Sequence, residues 1–237
     1  MNPYEKLINR KRKWTPVQTT AGTCKEGAEE AIFRALALRH MELPVGDFIT
    51  DALSSDVPNN ARDILLSNVK DEENHDLALG YIANAYGVDQ TAEAEALRLK
   101  AAWEAHPDHT ITKALVAERA IFFVLLPFFR FNGDAGMRTV SADISRDEQI
   151  HVATNSLVHT ELGYNISPSL DKLRKATINW VMQPLGDHAD KYLNKKFWLE
   201  SSDRLMYEGK APQLAETKAA RMPAFFEHSN VNLPQYA

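Results

Sequence analysis

Cysteine is almost missing from this chain: Cys24 stands alone among 237 residues. A lone cysteine closes no internal disulfide and rules out zinc or iron–sulfur sites built from several thiolates, and it fits a reducing compartment. Long apolar runs are missing as well. The longest, Ala120 to Phe129, contains Pro127 and falls well short of the roughly 20 residues a membrane-spanning helix needs. The first residues are polar and soon basic through Lys11-Arg12-Lys13, without the apolar core of a signal peptide. A soluble, cytoplasmic protein with no membrane association is expected. A net charge of −5 gives no electrostatic reason for nucleic-acid binding, and the basic cluster at 10–13 reads as a solvated terminus.

Strand signals are nearly absent, while apolar residues recur at spacings of three and four, so the expected fold is all-α. With 44% hydrophobic residues the chain can build one domain with a substantial core. A first helix is expected from Thr23 or Lys25 to about Pro44, followed by an Asp- and Ser-containing connection from Gly46 to Asp56. Pro58-Asn59-Asn60 opens a second helix that runs to Tyr86-Gly87, and Gln90 to Ala105 is a third. The fourth, Thr110 to Phe131, is apolar almost all round, which places it in the middle of a bundle. A fifth begins after the turn at 132–136 and ends near Gly163. Two more, Leu170 to Met182 and His188 to Tyr207, complete the body. The single domain, 1–237, thus has an N-terminal extension over 1–20 and a tail over 210–237.

The chemistry lies in a repeated pair. Of eight histidines only His75 and His151 carry a glutamate three residues earlier, Glu72 and Glu148. On a helix those positions share one face, so each pair offers a carboxylate and an imidazole to one point. Two such pairs on facing helices, with two further carboxylates, are the donor set of di-iron and di-manganese bundles. Glu118, in the apolar fourth helix, is the third carboxylate, because a lone carboxylate buried there without a partner or metal costs several kcal/mol. For the fourth, Glu29, Glu30 and Glu42 are candidates. A tight hairpin after Pro44 favours Glu30, whereas a long connection, spanning up to about 43 Å, permits Glu42. Two histidines without cysteine favour iron or manganese over copper or zinc. Asp147, beside Glu148, is placed to accept the second N–H of His75, or else to pair with Arg146.

Ala117-Glu118-Arg119-Ala120-Ile121-Phe122-Phe123, followed by Ile144-Ser145-Arg146-Asp147-Glu148-Gln149-Ile150-His151, resembles the small, radical-generating subunit of class I ribonucleotide reductase. Lys13-Trp14-Thr15, Ser202-Asp203-Arg204-Leu205 and Ala224-Phe225-Phe226-Glu227 resemble further segments of that family. The resemblance implies a ferritin-like bundle whose metal ligands are Glu42, Glu72, His75, Glu118, Glu148 and His151; the family's spacing selects Glu42 over Glu30. It further implies radical transfer through Trp14, Asp147 and His75, extended by Tyr236 in the tail, to a separate large subunit that reduces ribonucleotides to deoxyribonucleotides. A homodimer is implied as well.

One departure changes the expected chemistry. The family's radical tyrosine falls at Leu79, which holds no stable oxidised state. Tyr81 is turned about 200° from Leu79 on a helix and is a poor substitute. The resemblance then implies an oxygen-activated Mn/Fe cofactor that keeps the oxidising equivalent on the metals, with di-iron or di-manganese as alternatives. The other readings are a stand-alone di-metal oxygenase or oxidase acting on a hydrophobic substrate, and an iron-storage or ferroxidase protein.

Overall fold

The computed structural model describes residues 2–55 and 57–215. All regular structure among them is helical. The helices are α1 (Pro3–Ile8), α2 (Glu29–Ala37), α3 (Glu42–Leu53), α4 (Arg62–Tyr86), α5 (Gln90–Glu104), α6 (Thr110–Ala117), α7 (Phe123–Asn132), α8 (Ala135–Glu161), α9 (Pro168–Met182), α10 (Lys195–Glu208) and α11 (Pro212–Ala215). A 3₁₀ turn, Leu38–Met41, joins α2 to α3, and a π-helical segment, Glu118–Phe122, joins α6 to α7. Four rods therefore form the bundle: α2 with α3, α4, α6 with α7, and α8. The second pairs with the first, α7 and α6 pack on α8, and α4 and α8 touch across the middle. This is the all-α, ferritin-like bundle expected.

Local chemistry sets the ends. Asp89, Asp134, Ser167 and Asn194 each accept a backbone N–H in the first turn of α5, α8, α9 and α10 respectively. Gly209 closes α10 at a φ of +70°, a left-handed value that favours glycine. The third rod is the bundle's interior element: every residue from Ile111 to Glu118 is buried, as are Ala120, Ile121, Phe122 and most of α7.

Three expectations fail here. The stretch from Gly46 to Leu53, expected as a connection, is helical. Pro44 does not end the helix because it occupies the first turn of α3, where no intrahelical N–H bond is required, just after the 3₁₀ turn has reset the backbone. The helix therefore ends at Leu53, and the hairpin into α4 is tight. The basic cluster at 10–13 is not simply solvated either: Lys11 and Arg12 bond to α4 and α8. In addition, the helix expected from His188 begins at Lys195, after a short 3₁₀ turn.

The turn between α7 and α8 holds the two halves of the site in register. Gly133 donates its N–H to Phe129 O at 2.8 Å. A Cβ at this position would lie 2.5 Å from that same carbonyl oxygen and 2.7 Å from Met137. Gly133→Ala is expected to destabilise the fold by about 1–3 kcal/mol. A thermal melt should show a fall of several degrees, at about 2–4 °C per kcal/mol.

Candidate metal centre

The site is assembled from all four rods. Glu72 and His75 stand one turn apart on α4, and Glu148 and His151 do the same on α8. Glu42 is the first residue of α3, directly after the 3₁₀ turn, and Glu118 opens the π-helical segment. Both remaining carboxylates thus sit where the helix is locally re-wound, a device that re-aims side chains and recurs at functional sites. All six residues are at most 3% exposed.

They face one another. Nδ1 of His75 lies 3.3 Å from Glu72 Oε2, 3.4 Å from Glu148 Oε1 and 3.7 Å from Glu42 Oε2. Nδ1 of His151 lies 3.0 Å from Glu72 Oε1 and 3.8 Å from both Glu118 Oε1 and Glu148 Oε1. Glu72 turns one oxygen to each imidazole, the disposition of a carboxylate between two metal positions. Two overlapping donor groups result, Glu42–Glu72–His75–Glu148 and Glu72–Glu118–His151, each with its ligand atoms within 4.8 Å of one another.

The fit to metal rests on what these atoms lack. Glu42 Oε2, both oxygens of Glu72 and of Glu148, Glu118 Oε1 and both imidazole Nδ1 atoms are buried without a hydrogen-bond partner among the described residues. Buried polar atoms are rarely left so, and a cluster of acceptors aimed at one space is satisfied by cations. Only Glu118 Oε2 is held by a neutral donor, Asn155 Nδ2 at 2.7 Å.

The outer nitrogens are held too. His75 Nε2 lies 3.4 Å from Asp147 Oδ2, and His151 Nε2 lies 3.0 Å from Asp71 Oδ2. A carboxylate accepting from Nε2–H leaves the Nδ1 lone pair directed inward, which is the tautomer a metal needs. Asp147 also accepts from Trp14 Nε1 at 2.6 Å, and the Trp14 and His75 rings are 6.2 Å apart. Arg146, the alternative partner of Asp147, instead points to Asp143 from a largely exposed position.

Electrostatics express the same crowding. Burial first, then neighbouring carboxylates, push Glu42 up to about 8 and raise Glu118 and Glu148, against the opposing pull of the imidazoles. For Glu72 burial works in the same sense but is outweighed by His151 and His75, so its carboxyl is held low. Burial disfavours charge on the imidazoles, yet the surrounding carboxylates win, raising His75 well above its ordinary range and His151 to about 10. Protons thus occupy the place of cations in the metal-free cluster.

Of the residues singled out in the sequence, Glu42, Glu72, His75, Glu118, Glu148 and His151 meet in the cluster, and Trp14 and Asp147 adjoin it. Glu30 does not; it is exposed and paired with Arg34. Leu79 is 5% exposed and lines a cavity of about 10 Å³ together with Glu42, Leu38, Phe122, Leu126 and Phe129. Tyr236 and the 224–227 segment lie outside the described residues. Sequence reasoning missed Asp71, Asn155 and Lys11. For Asp71 the signal was present, since Asp precedes Glu-x-x-His in both motifs.

No family model matches the chain, and no curated protein matches it in sequence. Its fold is similar to a crystal structure from Bacillus halodurans of a protein assigned to class I ribonucleotide reductase, with a TM-score of 0.58 over 94% of this chain and 96% of that one, at 15% identity. Likeness at that identity shows a shared fold.

The raised groups set a pH dependence for the metal-free protein. Glu42 ionises near the ordinary 4.5 when unfolded and is pushed up to about 8 when folded, and His151 loses its proton near 6.5 unfolded and at about 10 folded. In both intervals the folded state binds more protons, so stability falls as pH rises from about 4.5 to 10. Metal-free protein should melt lower at pH 9 than at pH 6, and loading with Mn(II) should release protons and narrow that difference. Calorimetry at the two pH values checks both. Glu118→Gln should raise the melting temperature of the metal-free form at pH 9, having removed a carboxyl whose ionisation burial and Glu148 oppose, while metal analysis finds less than two equivalents bound.

Proposed function

We propose that this chain is the small subunit of a class I ribonucleotide reductase. It would hold a dinuclear centre, best read as Mn/Fe, in the cluster of Glu42, Glu72, His75, Glu118, Glu148 and His151. Its partner is a separate large subunit that converts ribonucleotides to deoxyribonucleotides, and the chain is expected to act as a homodimer. When bound, the metal pair supplies oxygen activation and a storable one-electron oxidant. The observation that carries the reading is the line Trp14 Nε1 to Asp147 Oδ2 at 2.6 Å and on to His75 Nε2 at 3.4 Å, which links a half-buried indole to a metal-facing imidazole. Iron storage gives no reason for such a line.

The chain's own residues divide the work. His75 and His151 present Nδ1 to the metals, and Asp147 and Asp71 hold the rings by Nε2. Trp14 relays one electron, and Asp147 accepts and returns the indole proton across the short hydrogen bond, so the transfer is reversible. On the large subunit one cysteine thiol loses an electron and a proton, and regains both after turnover. Tyr236 is the candidate for continuing the path. Leu79 supplies no redox-active side chain to take up the oxidising equivalent, which a bound metal pair would then have to keep. The apolar wall it helps to form beside Glu42 leaves about 10 Å³, near the room of one water molecule, which suits a diatomic gas better than the hydrophobic substrate of a stand-alone oxygenase.

The test loads the protein with Mn(II) and Fe(II), adds oxygen and assays nucleotide reduction with the cognate large subunit. Turnover is expected, with no tyrosyl signal in electron paramagnetic resonance, and absence of turnover under every metal combination sinks the proposal. Trp14→Phe should keep the metal content and lose the turnover.

A further inference from the structure

Each imidazole of the cluster is backed by a carboxylate, and what stands behind that carboxylate differs between the two. Behind His75 stands Asp147, and behind Asp147 stands the indole of Trp14. Behind His151 stands Asp71, and behind Asp71 stands an ammonium: Lys11 Nζ lies 2.5 Å from Asp71 Oδ2 and donates to Asn68 Oδ1 at 2.7 Å. Both outer groups come from one short segment, which follows α1 across α4 and α8. Arg12 pins that segment to α8 through Asp143, by its carbonyl at 2.7 Å and its carboxylate at 3.0 Å. The Lys11 side chain is 9% exposed and Asp71 14%, so this ion pair is shielded from solvent and is stronger than a typical surface pair.

We infer that Lys11 is a positioning residue that makes the two metal positions unequal, by fixing Asp71 behind His151. The inference rests on the dinuclear part of the function proposed above. Asp71 Oδ2 is shared between the ammonium and the His151 N–H, so the carboxylate cannot rotate toward solvent without breaking both contacts. The ring of His151 is thereby held with Nδ1 toward Glu72 and Glu118. A cation stands behind both carboxylates but at different range: Lys11 Nζ lies 2.5 Å from Asp71 Oδ2, whereas Arg12 Nε lies 3.9 Å from Asp147 Oδ1. The close partner on the His75 side is a neutral indole, a group that can exchange an electron, which an ammonium cannot. One segment thus gives one metal position an electron path and the other a rigid anchor. Loss of such an outer partner costs about 10–100-fold in metal affinity.

The probe is Mn(II) alone, titrated into the full chain and followed by the six-line resonance of the free ion. Wild type is expected to take up two equivalents and to show the spectrum of a spin-coupled pair. Lys11→Met keeps the stem and removes the charge. It should weaken one equivalent by about 10–100-fold, leave the other unchanged and replace the coupled spectrum by that of a single ion. Lys11→Arg should restore the pair, and Trp14→Phe should leave both affinities as they were. Should Lys11→Met fail to fold, Asp71→Asn, which keeps the volume and loses the ion pair, must show the same single-position loss. Two equivalents bound with wild-type affinity by Lys11→Met, or by Asp71→Asn where that variant stands in, overturn the role of Lys11 and leave the dinuclear centre intact; equal weakening of both positions does the same. A wild-type chain that binds no Mn(II) overturns the dinuclear centre and this inference together.

Discussion

Four carboxylates and two imidazoles buried against one another are the constraint on which the rest of the structure depends. Glu42, Glu72, Glu118 and Glu148 are all at most 3% exposed, and most of their inward oxygens have no hydrogen-bond partner among the described residues. Desolvating a charge without a counter-charge costs several kcal/mol per ion, so such a cluster persists only when the surrounding helices hold it together and a cation or protons occupy its centre. The apolar rod of α6 and α7 is what makes the burial complete. Its cost in metal-free stability is the reverse of its use: a set of unsatisfied anionic donors held apart is a set ready for divalent ions.

Holding them apart requires breaks in helical regularity. A regular helix repeats every 3.6 residues and carries its side chains where that period dictates. Glu42 follows a 3₁₀ turn and Glu118 begins a π segment, one tighter and one wider than an α-helix. The re-wound backbone at Glu118 also frees Arg119 to turn away from the cluster. Its Nε donates to Leu205 O, near the end of α10, so that the charge next to the buried glutamate serves the outer layer instead.

The paired motifs, the buried Glu118 and the bundle itself were legible in the residues because each depends on local period and polarity. Asp147 was legible as a neighbour of His75 for the same reason. Glu42 was not chosen by helix geometry, since Pro44 was read as a stop although a proline in the first turn of a helix leaves no N–H bond unmade. A relation within the chain would have chosen it. Glu42, Asp71, Glu72 and His75 each precede Glu118, Asp147, Glu148 and His151 by 76 residues, since 118 − 42, 147 − 71, 148 − 72 and 151 − 75 all equal 76. The two helical hairpins therefore carry the same four-residue pattern, and Glu30 has no place in it. The contacts of Lys11 were out of reach, because a basic residue in a non-helical segment has no period that says where it docks.

The same relation shows what Leu79 does. Its counterpart, 76 residues on, is Asn155, whose amide donates to Glu118 Oε2. On the other hairpin the corresponding side chain is aliphatic, and Glu42 Oε2 has no hydrogen-bond partner among the described residues. Leu79 and Glu42 instead border a small cavity walled by Leu38, Phe122, Leu126 and Phe129. One hairpin thus closes its outer carboxylate with an amide, while the other leaves it facing a largely apolar gap that Arg39 also borders. The Glu42 side of the cluster is accordingly the side with free space beside a carboxylate. The Nε2 edge of the His75 ring is instead closed by the Asp147 carboxylate and, behind it, the Trp14 indole.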